Sequence, residues 1–170
     1  MTPAFKKRLI KISIIILVSA FVLLNAVWGI HHNLLFGKYE KITVSEAVTN
    51  ANVSAKDGLT FSVSKAKYLN FGGNLGIVDA ENKKYLIVWP TLFNGNTYGF
   101  MMSDDTQTYN FIIDSQGNLL NDNKFPKAAQ IAYEDNKSYA KHLISEFDAW
   151  TEAAKNGDKT FFDCSFQPSY

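Results

Sequence analysis

Nineteen residues without a charge, Ile12 to Ile30, follow a cluster of four cations at Lys6, Lys7, Arg8 and Lys11. As a helix this run rises about 28 Å, close to the roughly 30 Å hydrocarbon thickness of a bilayer. Leu9 and Ile10 lengthen it on the basic side, and Trp28, His31 and His32 stand at the other end. Basic residues stay cytoplasmic and Trp favours the headgroup region. The run therefore predicts a cytoplasmic basic tail over 1–11, a transmembrane helix over 12–30, and the bulk of the chain outside the cytoplasmic membrane. A cleaved signal sequence begins in the same way, and Val18-Ser19-Ala20 offers it a small-residue site. Cleavage there would leave Phe21–Ile30 as a second apolar stretch, so a retained anchor is the expectation.

One polar side chain in the span needs an account. Asn25 lies four residues from Gly29, on the same helix face, and an amide in lipid needs a hydrogen-bond partner. Either water at the outer headgroups or a second transmembrane helix would satisfy it. Residues 31–42 read as a juxtamembrane connector, with Gly37 breaking the helix. Residues 43–170 read as one extracytoplasmic domain, long enough to bury a core without disulfides. The single cysteine, Cys164, excludes an intrachain disulfide.

The patterning of that domain alternates between two periods. Thr43-Val44-Ser45-Glu46 has the form of a capping box, and Val44, Ala47, Val48 and Ala51 follow at helical spacing, which predicts a short helix ending near Asn52. Leu59, Phe61 and Val63 then alternate with polar residues, the signature of a half-buried strand. Leu75–Asp79 and Tyr85–Trp89 read as further strands, the second apolar on both faces and thus central in the sheet, with Pro90 ending its ladder. Asn94-Gly95-Asn96 reads as a hairpin turn. Tyr98, Phe100 and Met102 alternate after it, as do Tyr109, Phe111 and Ile113, with turns at Asp104-Asp105 and Asp114-Ser115-Gln116-Gly117. Leu119 and Leu120 add a last short pairing. Pro126 suits the first turn of a helix. Ala128, Ile131 and Ala132, then Ala140, Leu143, Ile144, Phe147, Trp150 and Ala154, predict a long helix with a break near Asn136-Lys137-Ser138. Asn156-Gly157 ends it. Thr160, Phe162, Cys164 and Phe166 alternate and predict a last strand that buries the thiol. The expected fold class is α+β: an N-terminal transmembrane helix, then an antiparallel sheet of four to six strands packed against a long C-terminal helix.

Chemical signatures are sparse. His31 and His32 are adjacent on a helix and do not face each other. His142 is remote from them, so no metal site is predicted. Asp114, Gln116, Asn118 and Asp122 resemble a calcium loop only superficially, since Leu119 occupies the glycine position and Phe125 the glutamate position. Gly72-Gly73-Asn74-Leu75-Gly76 lacks the Gly-Lys-Ser/Thr of a phosphate loop. No serine sits in a glycine-flanked elbow, and Cys164 with His142 is the one nucleophile–base pair to check. No catalytic residue and no cofactor are predicted. The net charge is +1 and the first eleven residues carry +4, leaving −3 on the remainder, which has no arginine. A net-negative head lacks the basic footprint of a nucleic-acid binder.

Aromatic residues crowd the Asn94-Gly95-Asn96 turn: Trp89, Phe93, Tyr98 and Phe100. Hairpin packing accounts for them in part, and an exposed patch gripping a protein or glycan is the sharper reading. The predicted partner-binding residues are Asn25 in the span and Trp89, Phe93 and Tyr98 near the hairpin. Tyr109-Asn110-Phe111-Ile112-Ile113-Asp114-Ser115-Gln116-Gly117-Asn118-Leu119-Leu120, preceded by a short helix and strands, resembles part of a PepSY-type module. The resemblance covers residues 43–120 at most, and the long C-terminal helix departs from it. It implies a small extracytoplasmic α+β unit that restrains a peptidase or binds a partner. The expectation is a membrane-anchored, non-catalytic protein-interaction domain, an accessory or regulatory subunit partnered with the membrane and with another membrane or extracytoplasmic protein. The alternative is a small-molecule or glycan-binding domain with Gly72–Gly76 at its mouth.

Overall fold

The computed structural model describes residues 3–46, 51–64, 68, 71–104, 106–120 and 122–162. A 33-residue helix, α1 (Pro3–Leu35), leads into a single turn, α2 (Gly37–Glu40). Among the described residues seven strands follow in chain order: β1 (Val44–Glu46), β2 (Ala51–Lys56), β3 (Leu59–Ser64), β4 (Asn74–Asp79), β5 (Lys84–Trp89), β6 (Thr97–Ser103) and β7 (Thr108–Ile113). Every neighbouring pair is antiparallel, so the sheet is an uninterrupted meander with a three-residue edge at β1. Helix α3 (Lys127–Asn156) covers one face. The chain is α+β, and α1 is long and apolar enough to cross a membrane.

Register converts the sequence alternation into two continuous rows of buried side chains. Ser54, Phe61, Ile77, Leu86, Phe100 and Phe111 stand opposite one another across six strands. Asn52, Val63, Leu75, Val88, Tyr98 and Ile113 form the adjacent row. Because side chains alternate with period two, one register places every one of these on the same face. Helix α3 crosses that face. Tyr133 packs on Phe100 and Phe111, Phe147 on Tyr98, and Trp150 on Phe61. The fully buried Trp150 also meets Tyr39 of α2 and Phe162 beyond α3. At the β2 side, Lys56 reaches Glu146 of α3 at 3.2 Å and lies over the Phe161 ring.

Several expectations change. The predicted helix over 43–52 is instead strand at both ends, β1 and β2. The Thr43 hydroxyl donates back to the Tyr39 carbonyl at 3.0 Å, closing the turn behind it instead of capping a helix ahead. All six residues of β2 pair with β3, and this ladder outweighs a short helical stripe. The sheet gains two strands from this segment, which takes it beyond the predicted count. Residues 31–42 are no mere connector: Leu35, Phe36, Tyr39 and Ile42 belong to the core.

The Asn94-Gly95-Asn96 segment lies in the connection of the β5–β6 hairpin, as expected, but that connection is long. Strand pairing stops at Trp89–Thr97, leaving a seven-residue loop, 90–96. Helix α3 runs unbroken through 136–138, and the Asn136 amide donates to the Ala132 carbonyl at 2.9 Å. Its first turns bury Ala129 and Tyr133, while Ile131 is exposed. Gly157 ends it in the left-handed conformation at φ 66°. The predicted last strand begins instead with a 3-10 turn, Lys159–Phe161, because the Asp158 carboxylate accepts from the Thr160 N–H and hydroxyl. The rest of that segment, Cys164 included, lies outside the described residues.

Candidate functional site

Two regions gather the features that the sequence singled out: the junction of α1 with the sheet, and the sheet face that α3 leaves bare. Strand direction fixes the first. The β3–β4 connection and the 90–96 loop leave the same end of the sheet, because β3 and β5 both run towards it. Phe36, just beyond α1, packs at that end. A Cβ on Gly73 would sit 2.8 Å from the Phe36 ring, and Gly73 has φ 133°, so only glycine fits this approach.

Two described residues between β3 and β4 lie against α1. Phe71 meets His31 edge-on with centroids 5.1 Å apart. Tyr68 meets Trp28 at 5.4 Å, and its hydroxyl donates to the Asn25 side-chain oxygen. The Asn25 amide nitrogen donates to the Phe21 carbonyl at 2.7 Å. Both ends of the Asn25 side chain are thus satisfied within the chain. Trp28 stacks on His32, and the His32 Nε2 lies 3.2 Å from the Glu40 carboxylate. The contacts of 25, 28, 31 and 36 span about 16 Å of helix rise. Neither Tyr68 nor its role was among the predicted site residues. The sequence signal was an aromatic pair, Tyr68 and Phe71, in a segment with no strand alternation.

The predicted aromatics separate. Tyr98 is 5% exposed, a core residue between Val88 and Ile113 whose hydroxyl accepts from the Asn96 amide at 3.4 Å. It presents no ring to a partner. Trp89 stands on the opposite face with its ring over Gly99, where a Cβ would lie 2.8 Å from two ring atoms. Phe93 is 92% exposed at the middle of the 90–96 loop. The loop is held by Thr91, whose hydroxyl donates to the Gly95 carbonyl at 2.6 Å and accepts from the Asn94 N–H at 3.1 Å.

The bare face of the sheet has its own register. Ala55, Thr60, Val78, Tyr85, Met101 and Asn110 form one row; Val53, Ser62, Gly76, Ile87, Gly99 and Ile112 form the next. The residues of β2–β7 on this face include no Asp, Glu, Lys or Arg. The strand charges Lys56, Asp79 and Lys84 fall on the face of α3. Val78, Tyr85, Ile87 and Met101 are half-buried among their neighbours, and Trp89 and Ile112 are exposed.

Other candidates are accounted for by local structure. Asp114 accepts from the N–H groups of Gln116 and Asn118 and from the Asn118 amide, a hairpin turn whose hydrogen bonds hold the carboxyl below its usual range. Asp104 does the same through Thr106 and Gln107. Gly73 and Gly76 serve close packing against Phe36 and Ser62. His142 is exposed on α3. A shallow groove of about 270 Å³ lies between Ser115, Gln116 and the Lys141–Asp148 stretch of α3. No group of three or more His, Cys, Asp or Glu among the described residues is placed to hold a metal.

No protein-family model, curated protein or solved structure matches the chain. The resemblance of 43–120 to a PepSY-type module also loses its leading helix, which is strand.

Proposed function

We propose that this chain is a single-pass, membrane-anchored, non-catalytic protein-interaction domain. It has its N-terminus in the cytoplasm and its sheet domain on the extracytoplasmic side, and it serves another membrane or extracytoplasmic protein as an accessory or regulatory subunit. The observation that carries this reading is the uncharged face of β2–β7. A sheet face left to water is normally polar, whereas depletion of charge is what marks the centre of a protein interface. Six strands about 4.8 Å apart and about 20 Å long present roughly 600 Å² in plan. That approaches the ~800 Å² per partner of a stable interface. Gly76 and Gly99 flatten the middle of the face, and Trp89 supplies an anchor of the type that dominates binding energy.

The anchor supports the reading in a second way. Tethering a face of this kind to a bilayer raises its effective concentration towards any partner in the same membrane. The orientation follows from the four cations before the span.

A photoreactive diazirine residue in place of Ile87, in the full chain in native membranes, tests the proposal. The expected product is a discrete protein adduct, absent when the same group replaces Thr106 in the β6–β7 turn. Recovery of chain free of protein adducts at both positions overturns the interaction reading. Proteolysis of spheroplasts tests the orientation: the sheet domain is expected to be cut from outside, and a protected domain overturns it.

A further inference from the structure

The 90–96 loop has no account in the fold or in the proposed protein interface. Its side chains Leu92 and Phe93 are 40% and 92% exposed, and the segment Pro90–Asn96 carries no charge. A phenylalanine almost wholly in water loses hydrophobic free energy that burial elsewhere would recover. The loop's position says what would bury it. It leaves the sheet at the end where Phe36 and Gly73 meet, the end from which Tyr68 and Phe71 of the β3–β4 connection reach α1. Strands β4 and β5 are neighbours, so the two connections depart about 5–10 Å apart.

The β3–β4 connection marks depth. Tyr68 lies level with Asn25 and Trp28, within the apolar run, and Phe71 lies level with His31. Phe93 lies four residues beyond the end of β5, in the bend that Thr91 closes onto Asn94 and Gly95, and so stands at the same end of the sheet as the β3–β4 connection. Tyr68 and Phe71 are themselves 61% and 42% exposed. Three aromatic-bearing elements, namely the end of α1, the β3–β4 connection with Tyr68 and Phe71 beside Lys65 and Lys67 in sequence, and the uncharged 90–96 loop, thus gather at the α1 end of the domain. This composition is that of an interfacial aromatic belt.

We propose that the 90–96 loop docks into the outer leaflet of the bilayer that α1 crosses, with Phe93 and Leu92 entering the headgroup–acyl boundary. The occupant of this patch is lipid, and the loop is a second, reversible membrane contact that fixes the tilt of the sheet domain about α1. Its neutrality fits a contact driven by apolar burial instead of headgroup charge. The inference rests on α1 spanning the membrane, as proposed above. It adds that the bare sheet face then stands at a defined angle to the membrane surface.

The test uses the full chain in phosphatidylcholine vesicles with a diazirine residue at one position at a time: Val18 in the span, Phe93 in the loop, and Thr106 at the opposite end of the sheet. Lipid adducts are expected at positions 18 and 93 and not at 106. Adducts at 18 without adducts at 93 overturn the docking and leave the span standing. Absence of adducts at 18 overturns the span itself, and the docking with it. A protein adduct that replaces the lipid adduct at 93 in native membranes overturns the assignment of lipid as occupant. All three positions are exposed in the chain, so folding does not depend on the native side chains there.

Discussion

The Tyr68 hydroxyl donates to the side-chain oxygen of Asn25, tying Tyr68 to the C-terminal part of α1 across 43 residues of sequence. A buried or lipid-facing amide left without its partner is destabilising, and the same pair joins α1 to the segment that follows β3. Tyr68→Phe and Asn25→Leu are each expected to loosen this junction. A double-mutant cycle in detergent denaturation should give a coupling of about 0.5–1 kcal/mol. Strict additivity of the two substitutions would show that the contact contributes nothing to stability.

Trp150 is the residue on which the core converges. It is fully buried and contacts rings from α2, β3 and the segment after α3, while its indole N–H has no hydrogen-bond partner among the described residues. Trp150→Ala is expected to cost about 3–5 kcal/mol, the range for aromatic truncation in a core. Urea denaturation followed by far-ultraviolet circular dichroism measures it, and a loss below about 1 kcal/mol would contradict the packing.

Two glycines with positive φ should respond unequally to alanine. At Gly95 the space around a Cβ is open, and the φ of 75° sets the strain alone. At Gly73 a Cβ meets both the Phe36 ring and the Ser64 carbonyl, at 2.8 and 3.1 Å. Gly95→Ala is expected to destabilise by about 1 kcal/mol and Gly73→Ala by clearly more. Equal thermal shifts for the two variants would show that Phe36 does not close on Gly73.

Stability should fall at both extremes of pH. Burial of Asp79 raises its pKa, but hydrogen bonds from the Asn82 N–H and amide and the charge of Lys84 outweigh this and hold the carboxyl below its ordinary value. A depressed pKa means that the stabilisation is present above the unfolded value near 3.8 and is lost as pH falls through the folded one. Asp79→Asn is expected to flatten the acid limb of the stability curve. At the other extreme, burial raises Tyr39 and Tyr133 from 10.0 to about 12. The unfolded chain then loses those protons first, and stability should decline between pH 10 and 12. Tyr133→Phe is expected to lower stability at neutral pH by loss of its hydrogen bond to the Gly117 carbonyl and to reduce the alkaline slope. An unchanged slope in either variant would remove that residue from the linkage.

Much of this protein is written locally. The apolar run after the basic cluster is long enough to cross a bilayer whatever the rest of the chain does. The alternation of Leu59, Phe61 and Val63, of Tyr98, Phe100 and Met102, and of Phe111 with Ile113 fixes strands and their inner faces. The three- and four-residue steps from Ala140 to Ala154 fix the covered stripe of α3. Hydrophobic period is a property of neighbouring residues, so it can be read without knowing what they pack against.

Tertiary structure decided what depends on a distant partner. Thr43–Glu46 satisfies the local pattern of a helix start, yet the Tyr39 carbonyl takes the threonine hydroxyl and the β2–β3 ladder takes the segment beyond it. Tyr98 and Phe93 look alike around the Asn94-Gly95-Asn96 turn; register sends one into the core, and a seven-residue loop leaves the other in the open. The apolar outer face of Tyr85–Trp89 was legible as a central strand. Its continuity with uncharged residues on five other strands emerged only once they were aligned. The satisfied amide of Asn25 likewise waited on Tyr68. The Thr43–Tyr39 bond and the β2–β3 hairpin are local in sequence, whereas the continuity of the bare face and the Asn25–Tyr68 bond join residues that sequence spacing does not relate.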